Sequence, residues 1–134
     1  QNAPKPVDTL TPKFVTDTTD LFVLIQLKDK YIKVSDIITG IQKFNKKNFN
    51  DMKIKANPVF IDGFAIVQIK KFEGITDAKA YFTALQANAT EVVGESNVDK
   101  ASFFIIAPSN LKLMKTTADL DIYAPFFMNN YLKE

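Results

Sequence analysis

Hydrophobic and polar positions along this chain fall into one pattern used twice. An apolar run of strand length is followed by a polar turn and then by an apolar stripe at helical spacing. The first copy is Leu21–Leu27, LFVLIQL, broken only by Gln26. It is too short for a helix and reads as a buried central strand. Ser35 is the candidate N-cap of a helix running to about Asn48, with Ile37, Ile41 and Phe44 on one stripe. The second copy is Phe64–Asn88. Ala65, Val67 and Ile69 point one way from its strand, Phe64–Lys70, and Phe64 and Ile66 point the other. Glu73-Gly74 is a turn and Thr76 a candidate cap. The helix Asp77–Ala87 carries Ala78, Phe82 and Leu85 on one side.

Between the copies, Met52–Ala56 alternates as an edge strand does, and Val59–Ile61 extends it past Pro58. Asp62-Gly63 is a hairpin turn signal. After the second helix come a polar stretch, Ala89–Asp99, and a fourth strand, Ala101–Ala107, stopped by Pro108. A short turn opens at Ser109 or Asn110. A closing helix spans Asp119–Leu132, capped by Asp119 or Asp121, with Pro125 near its start. Gln1–Asp20, with three prolines, reads as a flexible Pro/Thr-rich linker in which only Phe14 and Val15 have reason to dock. The domain then occupies residues 21–134.

The order β-α-β-β-α-β followed by a helix predicts an α+β fold, a ferredoxin-like sandwich with an extra C-terminal helix. Right-handed crossovers put the first and third strands in the centre. Those are the two strands with apolar residues on both faces. The two main helices cover one sheet face, so Phe22 or Val23, with Phe64 and Ile66, faces outward. The expected cover is the closing helix or the N-terminal arm, ahead of a partner.

Composition narrows the chemistry more than the fold. A length of 134 residues fits one domain with a core of its own. Cysteine is absent, which excludes disulfides, thiolate nucleophiles and Cys-ligated metals. Histidine is absent too, removing the usual general base near neutral pH. All 17 basic residues are lysine, so no bidentate guanidinium is available for phosphate or guanine. Ten of them lie in Lys28–Lys71, against Asp29, Asp36, Asp51 and Asp62, giving a basic front half. Phosphate loops and cation-binding loops are missing, and the acids lack metal-ligand spacing. The central strands carry no aromatics interleaved with Gly and Arg, as nucleic-acid platforms do. The expectation is a non-enzymatic domain with no cofactor and no nucleic-acid partner. No window approaches the ~18–20 apolar residues of a membrane span. A chain opening on Gln, with no visible signal peptide, reads as a processed form or fragment.

Several segments resemble a known family. They are Phe22-Val23-Leu24; Phe44-Asn45 with Asn48-Phe49; Ile66-Val67 with Phe72, Ala78 and Tyr81; Phe104-Ile105 with Asn110; and Tyr123, Phe126-Phe127 and Asn130-Tyr131. Together they resemble the C-terminal domain of the large tetratricopeptide-repeat lipoproteins (SprE/PorW-like) of type IX secretion and gliding motility in Bacteroidota. The resemblance spans about Leu21–Tyr131 and rests on packing patterns. It implies a periplasmic setting, a tether through a longer lipidated precursor, and protein–protein contact with other envelope proteins of a secretion and motility complex. The stretch VQIKKF with DAKAYFTAL also resembles half of a SPOR domain, which implies peptidoglycan binding as the alternative. Lys70-Lys71-Phe72 replaces the glycines usual there. The candidate interaction surface is Phe22, Phe64 and Ile66 on the open sheet face, with Lys53, Lys55, Lys70 and Lys71 around the edge strand.

Overall fold

The computed structural model describes residues 14–50 and 53–132, apart from the side chain of Lys71. It is an α+β domain built on one antiparallel sheet. The strands are β1 (Thr19–Leu27), β2 (Lys55–Ile61), β3 (Phe64–Gly74) and β4 (Ala101–Ile106), in the order β2-β3-β1-β4. The helices are α1 (Val34–Asn48), α2 (Ile75–Ala87), α3 (Ala89–Val93), α4 (Pro108–Leu111) and α5 (Thr117–Phe127), with a π-helical turn at Met128–Leu132. As expected, β1 and β3 are the central strands, and nearly every residue of β1 from Leu21 onward is buried.

The register assigns the faces. Val23, Ile25 and Leu27 align with Ile69, Val67, Ile105, Phe103 and Ala101 on one face. Phe22, Leu24 and Gln26 align with Gln68, Ile66, Ile106, Phe104 and Ser102 on the other. The spacing from Ile69 to Phe72 would throw Phe72 to the second face. A β-bulge prevents this: two steps on β1, from Leu21 to Val23, oppose three on β3. Phe72 therefore stays with the helix-facing set and packs on Tyr81, ring centroids 5.0 Å apart. The expected end of β3 at Lys70 is corrected by this device, since the strand continues to Gly74.

The hairpin signal was accurate. Asp62 and Gly63 have φ of 57° and 81°, the pair of positive values that a type I′ turn requires. The Asp62 carboxylate also accepts the backbone N–H of Thr117 at 2.9 Å, anchoring the first residue of α5. That helix is capped by Thr116 rather than by Asp119 or Asp121. Asp119 completes a capping box by accepting from the N–H groups of Thr116 and Lys115. Pro125 lies inside the helix, not at its start.

Other boundaries moved for simple reasons. α1 starts at Val34 after Lys33, and α2 at Ile75 after Gly74, both without side-chain caps. Packing of their apolar stripes holds them, as it does most helices in folded domains. The stretch Ala89–Asp99, read as a loop, contains α3 and a 3-10 turn, because Ala89, Val92 and Val93 are buried. The N-terminal boundary shifts as well. Strand β1 begins at Thr19, and the preceding residues are tied down. The side-chain amide of Asn110 pairs with both main-chain groups of Val15, at 2.9 and 2.8 Å. The Tyr131 hydroxyl donates to the Asp17 carbonyl at 2.6 Å. Phe14 packs edge-on against Tyr123. The rest of the expected linker, Gln1–Lys13, lies outside the described residues.

Candidate functional site

The predicted surface divides into an apolar half that the fold covers and a basic half that it assembles. Helix α5 crosses the second sheet face. Tyr123 and Phe127 pack their rings against Phe104, and the Tyr123 hydroxyl donates to the Ile105 carbonyl at 2.6 Å. Ile66 is consequently only 1% exposed and belongs to the core. Phe22 is half-buried and packed against that core. Phe64 is also half-buried, with the Lys30 ammonium 5.0 Å from its ring centroid, within cation–π range. The expected apolar patch of Phe22, Phe64 and Ile66 is thus corrected. The closing helix, seated by Asp62, provides the cover.

The lysines behave differently. Lys53, Lys55 and Lys70 are exposed and line one cleft of about 440 Å³, together with Ile54, Phe72, Glu73 and Asp77. Lys71 lies in the same strand, its side chain outside the described residues. Two features of this corner carry a cost. Lys55 and Lys70 are direct cross-strand partners, and like charges in that position repel. Lys53 has φ of 50°, in the left-handed region that costs a non-glycine residue about 1–2 kcal/mol. The bulge in β3 follows immediately. Among the described residues the ion pairs are Lys47–Glu91 and Lys100–Asp29, so neither Glu73 nor Asp77 closes on a cleft lysine. A smaller depression, bordered by Asn45, Phe49 and Asn50, shares Lys53 and Ile54 with the cleft.

The groups with displaced pKa values lie elsewhere. Burial raises the Tyr81 phenol above its ordinary value, against the opposing effect of its 2.6 Å hydrogen bond to Asn45. Burial likewise raises Tyr123, with Tyr131 adding to the shift, and raises Tyr131, with Asp17 adding. None of the three lines the grooves described here. They support structure, and their chemistry has a measurable consequence. A phenol whose folded pKa is raised stabilises the fold fully below its unfolded value near pH 10 and loses that contribution as pH rises further. Alkaline titration should therefore show most phenolate absorbance appearing together with the loss of tertiary circular dichroism. Full ionisation of all four tyrosines near pH 10 with native circular dichroism intact would contradict this packing.

Two exposed aromatics escaped the sequence reading. Tyr31, in the loop after β1, is 94% exposed, and Phe60, on the edge strand β2, is 62% exposed. Alternation along β2 would have flagged Phe60 only if the end of α1 relative to that strand were known. Among the described residues no group of three or more acids stands close enough to hold a metal ion. No described helix is long and apolar enough to cross a membrane. No family model, curated protein or solved structure matches this chain.

Proposed function

We propose that this domain is a non-enzymatic protein-binding module, and that the lysine corner of β2 and β3 is its contact surface. The observation that carries the reading is the convergence of Lys53, Lys55 and Lys70 on one cleft at an energetic cost to the fold. Folding alone would favour a carboxylate opposite one of these lysines. A partner that supplies the missing negative charge explains why the corner is kept open. The strand order, with the second and fourth strands at the edges, supports a ferredoxin-like arrangement. Such a fold hosts many activities and adds nothing to the choice among them. The resemblance of Leu21–Tyr131 to the C-terminal domain of secretion and gliding lipoproteins suggests the setting. The partner would be an acidic surface of another periplasmic envelope protein, and the domain would reach it from a lipid-tethered precursor.

The test is affinity capture from a Bacteroidota envelope extract by the wild-type domain and by the triple variant K53E/K55E/K70E. The expected result is a captured component of the secretion or motility complex whose Kd weakens at least about tenfold in the variant. Equal capture by both proteins would remove the lysine corner from the reading. The peptidoglycan-binding alternative draws on a free sheet face, and α5 lies over that face here. Sedimentation of the domain with isolated peptidoglycan would reinstate it.

A further inference from the structure

The apolar run of β1 is broken at one position, Gln26, and the fold buries it, leaving 4% of the residue exposed. The register places Gln26 on the face that α5 covers, opposite Ile66 on β3 and Ser102 on β4. Two other polar residues are buried among the described residues, and both are paired. Asn45 accepts the Tyr81 hydroxyl, and the Asn110 amide bonds to both main-chain groups of Val15. The Gln26 amide has no hydrogen-bond partner among the described residues and lines a cavity of about 320 Å³. A buried amide left unpaired weakens a fold, and each such group calls for a reason. Leucine at this position would continue the apolar run and remove the penalty.

The rest of the cavity wall limits what the amide can meet. Lys28, Phe64, Thr117 and Asp121 complete it. Thr117 and Asp121 are one turn apart on α5 and so share a flank of that helix. Lys28 and Asp121 are both exposed and form no ion pair with each other. Neighbouring charges are already engaged. Lys30 lies over the Phe64 ring, and the Asp62 carboxylate holds the Thr117 N–H. The site therefore offers one cation, one anion and an amide with a donor end and an acceptor end. It lies over β1 and β3, apart from the Phe82 and Phe127 rings that close on the edge of β4.

We propose that this cavity binds a free α-amino acid as its zwitterion. Such a molecule carries an ammonium and a carboxylate on one carbon, and a primary amide presents an acceptor and a donor on one carbon. The Gln26 carbonyl accepts from the ammonium while its NH₂ group donates to the carboxylate. Asp121 completes the ammonium site and Lys28 the carboxylate site, each through a charge-assisted bond. Phe64 supplies the one large apolar surface, which suits an aliphatic side chain. A single water would leave most of the cavity empty and both charges unused. A peptide fits poorly, because its two charged termini sit on different residues. The cavity is separate from the lysine corner and does not depend on the reading of that corner.

The test is an NMR titration of the ¹⁵N-labelled chain with each common L-amino acid, read at the Gln26 side-chain NH₂ and the Asp121 backbone amide. The expected result is saturable shifts with an aliphatic amino acid such as L-leucine. N-acetyl-L-leucine and L-leucinamide, which lack the ammonium and the free carboxylate respectively, should leave both signals unmoved. Lys28→Met and Asp121→Asn should each weaken binding at least about tenfold. Gln26→Leu should abolish binding while raising the midpoint of thermal unfolding by about 2 °C or more, since the unpaired amide is gone. Absence of shifts with every amino acid, or an equal response to the two blocked forms, would overturn the proposal. So would a Gln26→Leu variant less stable than wild type, because the amide would then already be paired. Movement of the Gln26 signals on removal of residues 1–13 would assign the cavity to the chain's own N-terminal segment and overturn it as well.

Discussion

Replacing Tyr123 with alanine should cost about 3–5 kcal/mol of folding stability, as expected for a large buried aromatic. Its side chain is fully buried between the sheet and the N-terminal segment, touching Phe14, Phe104, Phe126 and Phe127. Loss of the ring would leave Phe14 without its edge-on partner and loosen α5 over Leu24, Ile66 and Ile106. Tyr123→Phe separates the two contributions of the residue. It keeps the ring but strands the Ile105 carbonyl, which should cost about 1–3 kcal/mol. Chemical denaturation of the three proteins measures both steps. The alanine variant should also bind a dye for exposed apolar surface, because the sheet face loses its cover. An alanine variant within about 1 kcal/mol of wild type would mean that α5 does not hold the face closed.

The second large effect is expected at Gly40. Glycine inside an exposed helix is normally a weakness, and alanine there gains about 1 kcal/mol of helix propensity. Here the sign reverses. A Cβ at Gly40 would run into the backbone carbonyl of Val92, where α3 crosses α1. The obstacle is main chain, which cannot rotate away as a side chain can. Overpacking of this kind typically costs 1–3 kcal/mol, with the upper part of the range expected for a rigid neighbour. Gly40→Ala should therefore destabilise by about 1–2 kcal/mol net. Gly40→Leu should cost more and expose the buried Val92 and Val93. Thermal unfolding settles the sign, and a stabilised Gly40→Ala variant would show that the helices do not approach so closely.

The lysine corner offers a contrast between stability and binding. Lys70→Glu alone would place opposite charges across the β2–β3 pair and should raise stability by about 0.2–1 kcal/mol. A substitution that strengthens the fold while weakening partner capture is the signature of a surface kept for binding.

Much of this architecture was legible in the residues. The central places of β1 and β3 were legible from the β-α-β-β-α-β order through right-handed crossovers. Their two-faced apolar runs show that both sheet faces are covered, as the run of the edge strand β4 does too. The Asp62-Gly63 hairpin was legible because few residue pairs accept two positive φ values. The basic half of the candidate site was legible as a local excess of lysine. The apolar half was misread because alternation along a strand tells which residues share a face and not what lies on it. Ile66 has the same sequence signature whether it faces solvent or α5. The wrapping of the β4 edge by α5 was invisible for a related reason. Nothing in ASFFIIA shows which edge of the strand is paired, and Tyr123, whose hydroxyl donates to the Ile105 carbonyl, lies 18 residues away from it.

The local choices belong to the sequence: where strands and helices run, which residues they bury, and which chemistries are closed by the absence of Cys, His and Arg. Those properties follow from side-chain size, polarity and backbone preference, which act within a few residues. Between the closing helix and the N-terminal arm, both expected ahead of a partner, tertiary structure decided that α5 lies over the second sheet face. It also brought Lys53, Lys55 and Lys70 to one cleft and closed the Phe82 and Phe127 rings around the edge of β4. These outcomes depend on contacts between segments far apart in the chain, such as the Asp62 carboxylate on Thr117 and the Asn110 amide on Val15. No local pattern encodes them.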